Sequence, residues 1–428
     1  MYLKDRLNNG IRVVMEEVSY VNSISIGVFI NTGSINETNV INGISHFTEH
    51  MLFKGTKNRT GKEIAEFIDN IGGELNAFTE TEYTCYYVRT LDKHLIQAVD
   101  ILSDLINNPI FQDDDIENEK KVISEEIKMY MDSPEDLVYD MLNECMFRGT
   151  SLSLPILGTL ERVRSFNRDI ILDYYNRFYV PENMVISICG NFDSKEVINI
   201  LNDYFCRNDS VEIDSEYASV NTKEYPIVKQ NITFKYKDIE QLNFCLGMEG
   251  IKRGHRDLYP MIIVNNILGG CISSKLFQKI REERGLVYSI YSHLDTYKNS
   301  GVFSIYAALS VERLIKVVKL IRDEINSLKT NLITKDELIK AKEQIKSGYI
   351  LGLEDTFSRM VNLGESELLL GRIVSPEEIL NRIDSIQMDD IERVVMKIFD
   401  KDKYNIAYVG KVKDHEKVNE CLKNILFD

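Results

Sequence analysis

The chain is 428 residues long, 44% apolar and 28% charged, without a long low-complexity tract; this excludes a disordered or fibrous protein and leaves room for two to four domains. A formal charge of −16 repels phosphate backbones and anionic lipid, so neither nucleic acid nor membrane is an expected partner, and a polypeptide suits the surface better. No apolar run approaches the roughly 20 residues that cross a bilayer, and Met1 to Arg6 lacks the apolar stretch of a signal peptide, so a cytoplasmic location is expected.

In chain order, the periodicity predicts strands at Arg12 to Met15 and Ser23 to Ile30, then helices at Ile44 to Phe53 and Lys62 to Ile71. Gly72-Gly73 ends the second helix and leads into a strand pair at Asn76 to Thr79 and Thr84 to Arg89. Helices follow at about 93–106, 114–131, 134–147 and 167–178, then a strand at 183–190 and a helix at about 195–205. The second half repeats this order. Leu242 to Gly247 matches the second strand, Arg281 to Tyr288 with Gly301 to Ala307 matches the strand pair, and Tyr404 to Gly410 matches the last strand. A steady offset of this kind is the mark of a duplication, with one loop insertion near 295–300. The expected fold is α+β: two duplicated halves, each an antiparallel or mixed sheet with helices packed to one side, forming a clamshell. The expected domains are 1–210 and 225–428, joined by a polar linker at 211–224.

His46 and His50 stand four apart on a predicted helix, so their imidazoles leave one face a turn apart and can share one ion. Glu49 lies on nearly that face, placed to take a proton from water that a metal has acidified. His46-Phe47-Thr48-Glu49-His50 is the reverse of His-Glu-x-x-His and reads as an inverted zinc motif. The chain has six histidines and the other four are isolated, so a carboxylate is the expected third ligand. On the helix at 114–131, Glu119, Val122, Ile123 and Glu126 fall on one stripe; spacing alone leaves Glu125 and Glu126 both open as ligands. The seven cysteines never pair as Cys-x-x-Cys and read as buried thiols, not as a thiolate metal site. In the second half Leu258, Met261 and Ile262 stand opposite His46, Glu49 and His50, while Ala341 and Gly348 stand opposite Glu119 and Glu126, so that half has no ligands.

The block Gly43-Ile44-Ser45-His46-Phe47-Thr48-Glu49-His50-Met51-Leu52-Phe53-Lys54-Gly55-Thr56 closely resembles that of the pitrilysin or insulinase-like zinc metallopeptidases, in particular bacterial relatives of the mitochondrial processing peptidase. The similarity spans nearly the whole chain. It implies a zinc endopeptidase with one Zn2+ per chain held by His46, His50 and Glu126, with Glu49 as general base and Glu119 as an accessory catalytic residue. It also implies that Arg281 and Tyr288 hold and polarise the substrate backbone. Asn76-Ala77-Phe78-Thr79 resembles the family's edge strand, to which an extended substrate adds, so Asn76 and Ala77 are expected to bind it. Peptides or unfolded polypeptides are the implied substrates, and a homodimer is implied by analogy. Cys271 stands where relatives often have glycine. The competing expectation is a catalytically silent clamp or assembly subunit of the same fold. A hydrolase of small amides fits less well, since nothing suggests a compact pocket.

Overall fold

The computed structural model of the chain describes residues 2–206 and 225–427, so the expected linker at 211–224 lies outside the described residues. Strands β1 (Tyr2–Arg6), β2 (Arg12–Glu17), β3 (Ser23–Ile30), β4 (Glu74–Thr79), β5 (Thr84–Leu91) and β6 (Met184–Gly190) form a six-stranded sheet in the order β1-β2-β6-β3-β5-β4. Strands β7 (Asn231–Tyr236), β8 (Leu242–Glu249), β9 (Ser289–Thr296), β10 (Gly301–Leu309) and β11 (Asn405–Gly410) form a five-stranded sheet in the order β7-β11-β8-β10-β9. The duplication is visible in the pairings. β2 runs parallel to β6 and β7 parallel to β11, while the remaining pairs of both sheets are antiparallel. The expected pair of α+β halves is what the chain forms, with β1 added to the first sheet.

The run Ser-Ile-Ser-Ile-Gly-Val-Phe-Ile in β3 is rich in β-branched residues and alternates its burden between two faces. Ile24, Ile26, Val28 and Ile30 enter a core shared with helices α1 (Ile44–Leu52), α2 (Gly61–Asn70), α3 (Leu95–Asn107) and α4 (Asp113–Asp132). Phe29 points the other way, into a second cluster with Val14, Cys85, Val185, Met360 and Leu363. That second face is covered by the helix Thr356–Leu370, which comes from the later half of the chain. The approach is close: a Cβ on Gly364 would lie 2.3 Å from the Phe29 ring. In the other sheet, helix α5 (Pro134–Met146), from the earlier half, packs on β8 and β11, and a Cβ on Gly247 would lie 2.5 Å from Met146 Sδ.

Two compact units result, and each takes a segment from across the sequence midpoint. One comprises residues up to Lys128, the described stretch from Leu154, and Leu351–Val374; the other comprises Met129–Ser153, the second described stretch to Ile350, and the chain from Ser375. Helices on one side of each sheet, as expected from the pattern, therefore describe only part of the packing. Strands apolar on both faces require cover on both.

One register differs from expectation. Arg281 to Tyr288 is not a strand: Phe277–Glu282 is a wide helical turn, and Gly285, at φ 55°, takes the left-handed conformation that ends it. The strand opposite β10 begins at Ser289. Among the described residues, no helix is long and apolar enough to cross a membrane. All seven cysteines are free, and Cys85, Cys145, Cys189 and Cys245 are buried.

Candidate metal centre

Helix α1 carries two of the expected ligands because its opposite side is committed to the core. Ile44, Phe47, Met51 and Leu52 are buried, with the Phe47 ring meeting Phe166 edge-on at 5.4 Å between centroids. His46 and His50 are turned to the other side, their ring centroids 4.5 Å apart. The helix starts at Gly43, whose φ of 93° costs a side-chain residue strain, and whose Cβ would press the Leu157 carbonyl. Its first amide groups are satisfied by Glu37: the buried carboxylate accepts from the N–H groups of Gly43 (2.7 Å) and Ser45 (2.9 Å) and from the Asn42 amide (2.9 Å). This places negative charge at the positive end of the helix dipole. Burial nevertheless pushes the Glu37 pKa above its ordinary value.

Helix α4 brings the carboxylates. Ile116, Ile123 and Ile127 face the core and Glu119 lies buried in the same stripe, whereas Val122, expected to face inward, is 51% exposed. Glu126 Oε2 lies 3.8 Å from His46 Nε2 and 3.7 Å from His50 Nε2. Glu125 pairs instead with Lys128 at 2.6 Å and is largely exposed, so of the two candidates only Glu126 joins the imidazoles. One ligand atom from each of His46, His50 and Glu126 falls within a 4.8 Å group, the only such group of three among the described residues.

The spacing fits a small divalent ion. The 3.7–3.8 Å separations exceed hydrogen-bond length but approach the roughly 3.3–3.6 Å edge of a tetrahedron with about 2.0–2.2 Å bonds, the zinc values for nitrogen and oxygen. His46 Nδ1 is buried without a hydrogen-bond partner, so Nε2 is the nitrogen with polar groups in reach. His50 Nδ1 meets Glu119 Oε1 at 3.0 Å. That bond assigns the proton to Nδ1 and frees the Nε2 lone pair, the usual way a carboxylate orients a metal-binding imidazole. Glu119's other oxygen takes Lys54 Nζ at 2.6 Å. Burial alone would raise the Glu119 pKa, but the hydrogen bonds from His50 and Lys54 outweigh it and hold the carboxyl below its ordinary value.

Glu49 stays outside the convergent set. It is 8% exposed, and its Oε2 accepts a hydrogen bond from Thr79 Oγ1 at the end of β4. Burial raises its pKa, against the opposing Thr79 bond and the His50 charge. Asn76 and Ala77 lie on β4, which is an edge strand as expected; the Asn76 Oδ1 accepts from the Ala77 N–H at 2.8 Å. Arg281 and Tyr288 lie in the other unit, both exposed. The Arg281 guanidinium sits 4.7 Å from the Phe277 ring centroid, and the Tyr288 N–H donates to the Ala308 carbonyl. Sequence reasoning assigned nothing to Glu37, Lys54 or Thr79, since each acts through a tertiary contact that periodicity does not encode.

The two imidazoles hold protons differently. Burial and the neighbouring His50 charge press the His46 pKa down to about 3. Burial also acts to lower His50, but the Glu119 bond and the charges of Glu49, Glu119 and Glu126 prevail and raise it above 6.5. A ligand nitrogen must be free of its proton, so of the two imidazoles it is His50 at which metal and proton compete in the neutral to mildly acidic range. Zinc affinity is therefore expected to fall with decreasing pH, beginning above pH 6.5, by up to about tenfold per pH unit. Competition titrations against a chromophoric chelator measure the slope; a two-proton slope would show that His46 titrates too.

An α+β chain that sets an inverted His-x-x-Glu-His helix against a glutamate from a distant helix has the makings of a metallopeptidase. Comparison with known proteins agrees. Residues 12–160 match the model of insulinase (peptidase family M16) and residues 165–345 that of the peptidase M16 inactive domain; the chain belongs to this family. It is 41% identical over 402 residues to the uncharacterized zinc protease YmxG of Bacillus subtilis (strain 168), covering 94% of this chain and 96% of that one. It is 34% identical to the uncharacterized zinc protease SCO5738 of Streptomyces coelicolor, covering 96% of this chain and 90% of the relative. The same fold is seen in a protease from Helicobacter pylori, with TM-score 0.85 at 21% identity over 96% of this chain and 99% of that one.

Proposed function

We propose that this protein is a zinc-dependent endopeptidase acting on peptides or unfolded polypeptides. The observation that carries the reading is the convergence of His46 Nε2, His50 Nε2 and Glu126 Oε2, with the Glu49 carboxyl beside them but not among them. His46, His50 and Glu126 would hold one zinc ion per chain, and Glu119, braced by Lys54, would orient His50. Zinc in such a set supplies Lewis acidity, lowering the pKa of water to about 7 and polarising a carbonyl. Glu49 accepts the proton as water adds to the scissile carbonyl and returns it to the departing amine. Its raised pKa suits a group that must take a proton and give it back.

The catalytic part would be the N-terminal portion, 1–210, and the substrate-binding part the C-terminal portion, 225–428, where no group of three metal-ligating side chains converges among the described residues. There Arg281 and Tyr288 would hold and polarise the substrate backbone, a role that rests on the family resemblance of the run they end. Asn76 and Ala77 would receive an extended substrate along the β4 edge. The test is hydrolysis of internally quenched peptides by the purified chain, with and without a chelator and with zinc restored. Activity that is lost to the chelator and regained with zinc is expected. A chain that binds peptides without cutting them at any zinc level would instead be a clamp of the same fold.

A further inference from the structure

The register of the β4–β5 hairpin decides which backbone groups face the open sheet edge. The Glu80 N–H donates to the Tyr83 carbonyl at 2.8 Å, so residues 80 and 83 form a hydrogen-bonded pair. Antiparallel alternation then turns the main-chain groups of Thr79, Ala77 and Leu75 away from β5, toward the open edge. The Asn76 carboxamide bonded to the Ala77 N–H agrees with that direction. Thr79 thus faces two ways: its backbone lies where an added strand would pair, and its hydroxyl donates to Glu49 Oε2. Among the described residues Thr79 is the one hydrogen-bond donor to that carboxylate.

A buried carboxylate on a side chain with three rotatable bonds has several rotamers open to it, and one directed hydrogen bond selects among them. The hydroxyl spends its single proton on Oε2, which leaves Oε1 unencumbered for proton transfer. The bond also spans two elements, α1 and β4, so it fixes the base relative to the strand edge as well as to its own helix.

We propose that Thr79 is a positioning residue for the general base, holding Glu49 in one rotamer and tying it to the strand that receives the substrate. The proposal rests on the peptidase reading and adds to it a residue that determines how well the base is aligned. Thr79→Val keeps the shape and removes the donor; Thr79→Ser keeps the donor. The valine variant should lose about 10- to 100-fold in kcat with KM within about twofold and zinc content unchanged, and the serine variant should recover most of the loss. Crystal structures of zinc-loaded wild type and Thr79→Val supply a readout that needs no turnover: the Glu49 carboxylate should leave its wild-type position in the variant. Wild-type kcat in Thr79→Val, equal impairment of both variants, or an unmoved Glu49 would each overturn the proposal. An inactive wild type would defeat the peptidase reading, while the two crystal structures still decide whether Thr79 holds Glu49.

Discussion

Glu49→Gln is expected to lower kcat for peptide hydrolysis by about 10²- to 10⁴-fold, the span ascribed to a positioned general base, while zinc stays bound. Glutamine preserves the volume of the side chain, and its carbonyl oxygen can still accept from Thr79, so the helix and the imidazoles have no reason to move. What disappears is the capacity to take a proton. Because Glu49 lies outside the group formed by His46, His50 and Glu126, metal binding should be indifferent to the change. Turnover of a quenched peptide and metal content by atomic absorption, on the same preparation, separate the two roles. Loss of zinc in this variant would make Glu49 a ligand, and retained turnover would place the base elsewhere.

Glu126→Gln should have the opposite signature. It removes the one carboxylate oxygen that, among the described residues, lies within reach of both Nε2 atoms, and it leaves two neutral imidazoles, too few donors for a site that normally uses three. If about 10–16 kcal/mol of zinc binding is shared among the ligands, losing one costs roughly 3–5 kcal/mol, or about 10²- to 10³-fold or more in affinity. Activity should fall with occupancy and return in part at high zinc concentration. Glu125→Gln, beside it on the same helix but paired with Lys128 in solvent, should change neither quantity. This contrast tests helix geometry directly, since adjacent residues point about 100° apart.

The motif on α1 was legible because everything it needs is local: His46, Glu49 and His50 fall on one side of a single short helix, and the apolar residues between them commit the other side to the core. The third ligand was legible only to within one position. The apolar stripe of α4 is broken by Glu119, buried, and Val122, exposed, so neighbouring residues could not be told apart until the fold oriented the helix. Glu119 is a case of a buried acid explained by its partners: His50 and Lys54 saturate its two oxygens, and those contacts span a tertiary distance that spacing does not report.

The duplicated sheets were visible in the repeated strand order, yet two features escaped. The helices Pro134–Met146 and Thr356–Leu370 each cover the sheet formed mainly by the other half of the chain, and periodicity names a buried face without naming what buries it. The strand before β10 was expected eight residues early because the repeated order alone placed it at Arg281 to Tyr288; Leu286 and Val287 are in fact buried after a left-handed glycine closes the helical turn before them.

The central claim is that one metal ion is shared by His46, His50 and Glu126. Anomalous scattering collected on both sides of the zinc absorption edge, from crystals of the purified chain, tests it most directly. A single peak is expected, bonded at about 2.0–2.2 Å to the two Nε2 atoms and to a Glu126 oxygen. A peak bonded to other residues, or a zinc-loaded protein with no peak at this position, would contradict the account.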